Sequence, residues 1–195
     1  TPAMGTPIYS SFKPLEKIEY PSLAKGVILD DGTRRYVLCA MDWCELCNST
    51  YDLYRKRIAA AVGTEEKYVA IQTVHQHTAQ IADAEATRMA LETHPGISLP
   101  SPESYDDPSH VIAKAAHAAL NELEPFDSVG LGTAKVDQVA SNRRIPLGDG
   151  KVGFRASSCT DPKVRALPEG LIDPMLKTIT FAKGEKPLVR MHYYA

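Results

Sequence analysis

An apolar, β-branched run leads directly into two histidines in the segment Val69-Ala70-Ile71-Gln72-Thr73-Val74-His75-Gln76-His77-Thr78. Residues 68–74 are almost continuously apolar, which is typical of a strand covered on both faces. On an extended backbone the side chains of residues i and i+2 point to the same side. His75 and His77 are therefore expected to project together from the end of this strand.

Two imidazoles that point to one place suit a metal ion, or a metal ion together with its substrate. The alternative is that one histidine caps the strand through a hydrogen bond while the other lies in solvent. The H-x-H spacing is compatible with both interpretations, so the surrounding elements have to separate them.

The sequence before this run predicts a β-hairpin. Residues 23–30 and 35–41 are strand-like, and Asp30-Asp31-Gly32 is a turn sequence between them. So short a connection makes the two strands antiparallel. Residues 1–13 contain three turn formers and are expected to form an irregular opening loop, since they include Pro2, Gly5 and Pro7.

A helix is predicted between this hairpin and the strand that carries the histidines. Ser49 or Thr50 can cap the helix, and Gly63 stands where the helical pattern stops. A helical crossover makes the strands on its two sides parallel, and their carboxyl ends then share one sheet edge. Asp42 would lie at that edge, where it could accept the second ring N–H of a ligating histidine or cap the strand end.

A polar, Pro-rich segment follows the histidines. Residues 81–108, around a short helix at residues 84–91, are a candidate insertion or lid over a pocket mouth. The last third of the chain alternates turns with short strands, predicted at residues 128–139, 151–154, 176–181 and 188–194.

A second, longer helix is predicted over residues 109–123. Its apolar residues recur at helical spacing and form a stripe made of Val111, Ile112, Ala115, Ala116, Ala119, Leu120 and Leu123. His110 and His117 lie on the same helix seven residues apart, and surface or packing roles are expected for both.

Together these elements predict an α/β fold, with a mixed sheet and helices packed on it, as a single domain or as the N-terminal lobe of a larger chain. A length of 195 residues with 44% hydrophobic and 24% charged residues fits one globular domain. The net charge of -2 leaves no broad basic surface, so nucleic acid is not an expected partner. No run reaches the roughly 18 to 20 apolar residues that span a bilayer.

The four cysteines are too few to form a disulfide scaffold at this length. Cys44 and Cys47 form a C-x-x-C pair between a strand and a helix, where the helix N-terminus can stabilise a thiolate. Glu45 lies between them, and its carboxylate would raise the pKa of a neighbouring thiol. The preferred interpretation is buried structural thiols or an incidental disulfide, and a dithiol redox site is the alternative.

Six short segments follow one another along the chain: T-P-A-M-G-T-P at residues 1–7, L-A-K-G-V-I-L-D-D-G at 23–32, a strand end at 37–42, T-V-H-Q-H-T at 73–78, S-N-R-R at 141–144 and I-D-P at 172–174. In this order they resemble the N-terminal domain of neutral/alkaline nonlysosomal ceramidases, zinc amidohydrolases that cleave an N-acyl bond. The Gly-Pro that follows the family's histidines is replaced here by Ala79-Gln80. The resemblance also implies that the chain is truncated and carries part of a metal site, because the family's remaining zinc ligands lie further downstream.

The resemblance implies roles for three residues. His75 matches the family's zinc ligand, and His77 matches the neighbouring histidine that contacts the reacting group. Arg143 matches the arginine that hydrogen-bonds the substrate, and its alternative is a plain surface or salt-bridging role. His192 aligns with a position that is not a ligand.

Three functions remain as hypotheses. The leading one is a zinc-dependent, ceramidase-like hydrolase of an amide or acyl bond, in which metal-activated water attacks the acyl carbonyl of a small-molecule or lipid-like N-acyl substrate. The second is a non-catalytic ligand- or glycan-binding domain on the same fold. The third is a thiol oxidoreductase at Cys44 and Cys47. Export to the periplasm or the exterior is expected from the resemblance, and the oligomeric state, including a homo-oligomer, is left open.

Overall fold

The structure is a computed structural model that describes residues 1–8 and 14–194. It divides into two compact units, one over residues 1–123 and one from residue 124 onward. The first unit contains β1 (Ala24–Asp30), β2 (Arg35–Met41), β3 (Glu45–Leu46), α1 (Asn48–Val62), β4 (Val69–Thr73), β5 (Ile81–Ala82), α2 (Ala84–Thr93) and α3 (Asp106–Ala119). Of the predicted opening loop, residues 9–13 lie outside the described residues.

The main sheet of the first unit is mixed, with the strand order β1-β2-β4. The predicted hairpin is confirmed, since β1 and β2 pair antiparallel, with Ala24 opposite Met41. The predicted crossover is confirmed as well, because β4 runs parallel to β2 with Met41 opposite Thr73. Beyond these strands the two chain segments continue side by side, and β3 pairs in parallel with β5. The α/β class expected from the sequence is therefore present.

Helix α1 ends where the sequence predicts and begins slightly earlier. Gly63 adopts the left-handed conformation, with φ 70°, that ends many helices. The N-cap residue is Cys47, so the expected cap by Ser49 or Thr50 is wrong. The pairing of β3 with β5 keeps the chain extended up to Cys47, and the Thr50 hydroxyl instead accepts a hydrogen bond from the N–H of Ala84 at 2.8 Å.

The core of the first unit lies between the main sheet and α1. Tyr54 is fully buried, packs edge-on against Trp43 at 5.8 Å between ring centroids, and donates a hydrogen bond to the carbonyl of Tyr105. The sheet and α1 contribute most of the other core residues, which are Val37, Cys39, Met41, Ile58, Ala59, Val62, Val69 and Ile71. Burial of this apolar surface is what holds the crossover together.

Strand β4 is covered on one face only. Val69 and Ile71 are buried, whereas Ala70 and Gln72 are exposed. The expectation of a strand covered on both faces is therefore wrong: β4 is the last strand in the order β1-β2-β4, and its residues alternate between the core and the opposite side.

The segment over residues 81–108 is anchored in the core at both ends. Ala82 is fully buried, and Tyr105 is 1% exposed and donates a hydrogen bond to the carbonyl of Ile81. The short helix predicted there is α2, which Asp83 caps by accepting from the N–H of Ala86 at 3.0 Å.

Helix α3 confirms part of the predicted amphipathic pattern. Ile112, Ala116 and Leu120 pack against the core, whereas Val111, Ala115 and Leu123 are exposed and are wrongly placed in the apolar stripe. Val111 and Ala115 lie at one edge of the stripe, rotated away from Ile112, and Leu123 lies beyond the end of α3 at Ala119.

The second unit contains β6 (Ser128–Lys135), β7 (Arg144–Pro146), β8 (Val152–Phe154), α4 (Pro162–Arg165), β9 (Met175–Lys183) and β10 (Lys186–Tyr193). Its larger sheet is antiparallel, in the order β10-β9-β6, and β7 pairs with β8 as a hairpin. The predicted first strand of this unit ends at Lys135 rather than at residue 139. Its pairing with β9 stops at the same point, with Lys135 opposite Met175. Within the described residues, no helix has the length and apolar character needed to cross a bilayer.

Candidate metal centre

The two predicted histidines lie on the loop between β4 and β5. The strand ends at Thr73, and His75 adopts a left-handed conformation with φ 57°. The loop follows the neighbouring strand, since the N–H of Val74 donates to the carbonyl of Met41 at 3.1 Å and that of Gln76 to the carbonyl of Trp43 at 3.3 Å. The expected extended strand through both histidines is therefore wrong, because the chain turns at His75.

The two imidazoles nevertheless meet, as the sequence predicts. The rings of His75 and His77 lie edge to face, with centroids 4.9 Å apart and planes at 75°. Both residues are exposed, and the side chain of His75 is 57% accessible. The turn, rather than the two-residue period of a strand, brings the rings together.

Cys44 adds a third donor that the sequence interpretation missed. Its side chain is fully buried, and its Sγ lies 3.6 Å from Nδ1 of His75. One ligand atom each from Cys44, His75 and His77 can be chosen so that all three lie within 4.8 Å of one another. Chain topology explains the meeting: Met41 is opposite Thr73 in parallel strands, and Cys44 and His75 follow these residues by three and two positions.

Backbone hydrogen bonds fix the position of Cys44 from both sides. Its N–H donates to the carbonyl of Gln80 at 3.1 Å, and its carbonyl accepts from the hydroxyl of Thr73 at 3.0 Å. Nδ1 of His75 lies 3.3 Å from the same carbonyl and 3.8 Å from Oε1 of Glu45. The thiol and the first imidazole are thus held by the ends of two neighbouring strands, which gives the pair a defined geometry.

Both thiols of the C-x-x-C pair are held in their neutral form. Burial raises the pKa of Cys44 and of Cys47, and the negative charge of Glu45 raises both further, as the sequence predicts. Cys47 also lies 3.7 Å from Oε2 of Glu45. All four cysteines are free thiols. A raised pKa works against a redox-active thiol, which needs a stabilised thiolate, and so it favours a structural role as long as no metal ion is bound.

The donor set suits zinc. A cysteine thiolate and two imidazoles are ligands that tetrahedral zinc sites use, and three protein ligands leave one position for water or substrate. Binding would require loss of the Cys44 proton, which a divalent cation at 2–3 Å favours strongly.

The replacement of Gly-Pro by Ala79-Gln80 puts a buried amide beside this loop. Ala79 is fully buried and Gln80 is 5% exposed. The side-chain carbonyl oxygen of Gln80 has no hydrogen-bond partner among the described residues, although its backbone carbonyl holds Cys44. Ala79-Gln80 therefore place a buried, unpaired amide oxygen in the loop that follows the histidines.

The other residues singled out by sequence have different positions. Asp42 accepts a hydrogen bond from the N–H of Leu23 at 3.0 Å, so it acts as the strand-end cap. His110 lies 3.3 Å from Asp106, and His117 contacts the carbonyl of Ala61, which confirms surface and packing roles for both.

Arg143 and His192 belong to the second unit. Arg143 is exposed just before β7, and its carbonyl accepts from the N–H of Arg155 at 2.7 Å. His192 lies on β10 with Nδ1 2.8 Å from the hydroxyl of Thr178.

The first unit thus combines an α/β crossover with a candidate Cys/His/His metal group at the carboxyl edge of its parallel strands. Two solved structures share the fold: neutral ceramidase from Pseudomonas aeruginosa, with a TM-score of 0.61, and a ceramidase complexed with C2, with a TM-score of 0.55. Each is 14% identical in sequence, and the match covers 89% of this chain but only 26% and 25% of those chains. No protein-family model and no curated protein matches the chain. The fold is therefore ceramidase-like, and the chain spans about a quarter of the length of the two ceramidases.

Proposed function

We propose that this chain supplies the metal-binding part of a zinc-dependent hydrolase that cleaves an amide or related acyl bond. The observation that carries the proposal is the convergence of Cys44, His75 and His77 within 4.8 Å. The group lies at the carboxyl edge of parallel strands, which is where open α/β folds commonly bind ligands. The ceramidase-like fold supports a hydrolase, and the donor set supports zinc.

Zinc, when bound, polarises an acyl carbonyl and lowers the pKa of a water ligand. The chain's own residues contribute position and charge. The backbone holds Cys44 on the buried side, and the left-handed turn aims His75 from the exposed side. The carbonyl of Cys44, 3.3 Å from Nδ1 of His75, can accept a hydrogen bond from that ring nitrogen, and the negative charge of Glu45, 3.8 Å away, favours the same tautomer. This tautomer leaves Nε2 of His75 free to bind a metal ion.

His77 can act in either of two roles, as a third ligand or as a proton carrier beside the substrate. We assign it to the metal group because its donor atom lies within the same 4.8 Å. Arg143 is proposed to hydrogen-bond the substrate, as the sequence resemblance implies.

The metal assignment is tested by the zinc content of the purified, dialysed protein. About one zinc per chain is expected for the wild type, with zinc affinity at least about tenfold weaker in Cys44→Ala, His75→Ala and His77→Ala, since each removes one of three ligands. Cys47→Ala is the matched control, because it removes a nearby thiol outside the group and is expected to retain zinc. Equal zinc in wild type, Cys44→Ala and His75→Ala would remove the proposal.

The hydrolase assignment is tested with fluorogenic N-acyl amides of increasing acyl length. Hydrolysis is expected to disappear on chelation and to return with added zinc. His77→Ala then separates its two roles: loss of zinc and activity together identifies a ligand, whereas retained zinc with lost activity identifies the proton carrier.

A second candidate is a zinc-holding binding domain without catalysis. The exposure of His75, 57% for its side chain, favours it, because catalytic metal sites usually lie in dry, enclosed pockets. Stoichiometric zinc with saturable binding of an N-acyl ligand or a glycan, but without hydrolysis of any acyl amide, would support this candidate over the enzyme.

A further inference from the structure

The second unit contains a cavity with an unusual concentration of arginine. It has a volume of about 590 Å³ and is lined by Arg143, Arg155, Arg165 and Glu169, with the hydroxyl residues Ser141 and Ser157. The lining residues thus include three arginines and one glutamate. All of its lining residues belong to this unit.

Arg155 is a buried cation without an acidic partner. It is 7% exposed, and within the described residues its guanidinium makes no ion pair with a carboxylate. Its two terminal nitrogens instead donate to backbone carbonyls, at 2.9 Å to Leu167 and at 3.0 Å to Pro168. Carbonyl dipoles solvate the charge but do not neutralise it, so the site keeps a positive potential.

One donor of Arg155 has no partner. Its Nε is buried and has no hydrogen-bond acceptor among the described residues. The Arg155 guanidinium is held in place by carbonyls of two backbone segments, at residue 142 and at residues 164–169, and it forms a rigid, positively charged floor of the cavity. The carbonyls of Asn142 and Glu169, at 3.2 and 3.3 Å, belong one to each of these segments.

Arg143 and Arg165 supply exposed guanidinium groups that a ligand can reach. Both are exposed and line the cavity, and neither makes an ion pair with a described carboxylate. The planar fork of arginine matches the oxygen spacing of carboxylate, sulfate and phosphate, and charge-assisted hydrogen bonds of this kind are among the strongest in proteins.

We propose that this cavity binds a small oxyanion group, a phosphate, sulfate or carboxylate, between Arg143 and Arg165 above the buried charge of Arg155. The proposal does not depend on zinc or on hydrolysis. It gives Arg143 an oxyanion ligand, a role separate from the contact with an acyl substrate proposed above, and it defines the ligand by charge and shape.

The test is a titration of the intact chain with inorganic phosphate, sulfate and acetate at constant ionic strength. Binding is measured by calorimetry and by shifts of the arginine Nε–H signals in NMR spectra. Saturable binding is expected, with about tenfold weaker affinity in Arg143→Gln and in Arg165→Gln, since each removes a charge-assisted contact. Tighter binding of phosphate and sulfate identifies a tetrahedral ligand, and tighter binding of acetate identifies a carboxylate.

Two variants guard against a general effect of charge or folding. Arg144→Gln removes the same charge from the next residue, which is exposed but lines a different cavity, and it is expected to retain the wild-type affinity. Glu169→Gln removes the acidic lining residue and is expected to tighten binding, a gain that misfolding does not produce. The proposal would be overturned if none of the three anions binds saturably, or if Arg144→Gln weakens anion affinity as much as Arg143→Gln does.

Discussion

At the scale of single residues, the conformation of His75 is the feature that most directly links backbone and site. A histidine with φ 57° lies in a region that glycine occupies more easily than any residue with a Cβ. Strained backbone is commonly kept where it positions a functional group. In this chain the turn at His75 brings its ring toward Cys44 and His77.

The strain predicts an order of stability among truncations of His75. Both His75→Ala and His75→Gly remove the imidazole, but only glycine relieves the left-handed backbone, so His75→Gly is expected to be more stable by about 1 kcal/mol. Urea denaturation without metal, monitored by the fluorescence of the single, buried Trp43, measures the difference in free energy of unfolding between the two variants. Equal stability, or a more stable alanine variant, would show that the backbone is not strained.

At the scale of elements, the β1–β2 hairpin is fixed by its turn. Oδ1 of Asp31 accepts from the hydroxyl of Thr33 at 2.7 Å and from the N–H groups of Thr33 and Arg34 at 2.9 and 2.7 Å. These hydrogen bonds, above all that from the Thr33 hydroxyl, lower the pKa of Asp31 from 3.8 to about 2. The hairpin in turn positions β2, which ends at Met41, three residues before Cys44.

This shift predicts how Asp31 contributes to stability as the pH changes. Because the pKa is lower in the folded state, the contribution is fully present above about pH 4 and is lost as the pH falls towards 2. The difference in free energy of unfolding between wild type and Asp31→Asn is expected to shrink over that interval, and Thr33→Ala should move the loss to higher pH. Denaturation curves from pH 6 to pH 2.5 test this, and a difference that does not vary with pH would contradict it.

A close approach of β1 to β2 gives a second prediction at this scale. A Cβ on Gly26 would lie 2.9 Å from the carbonyl oxygen of Leu38, so Gly26→Ala is expected to destabilise the first unit by about 1–3 kcal/mol. Gly96→Ala is the matched control, since no heavy atom of the described residues beyond its two chain neighbours lies within 4 Å of the added Cβ, and a change below about 0.5 kcal/mol is expected. Trp43 fluorescence during denaturation compares the two, and equal effects would argue against the close contact.

At the scale of the whole molecule, local patterns predicted most elements, whereas the site depended on pairing between distant segments. The hairpin, α1, β4 and α3 carry turn, cap and periodicity signals within a few residues, and all four are present. Strand β7, with three residues, and helix α4, with four, are not predicted, because segments this short do not show a hydrophobic period.

Cys44 was missed as a metal donor because it lies 31 residues before His75 and becomes its neighbour only through the parallel register of β2 and β4. Once Met41 is placed opposite Thr73 in the parallel pair, counting the residues after each strand brings Cys44 next to His75. The turn at His75 had no signal of its own, since histidine is not a residue that marks a left-handed position.

The central claim, that Cys44 and the two histidines hold one divalent metal ion, is tested most directly by X-ray absorption at the zinc edge of the zinc-loaded protein. The structure predicts one sulfur at about 2.3 Å and two imidazole nitrogens at about 2.0–2.1 Å, with the sulfur signal lost in Cys44→Ala and retained in Cys47→Ala. A spectrum with only nitrogen and oxygen neighbours in the wild type, or a sulfur signal that survives in Cys44→Ala, would contradict it.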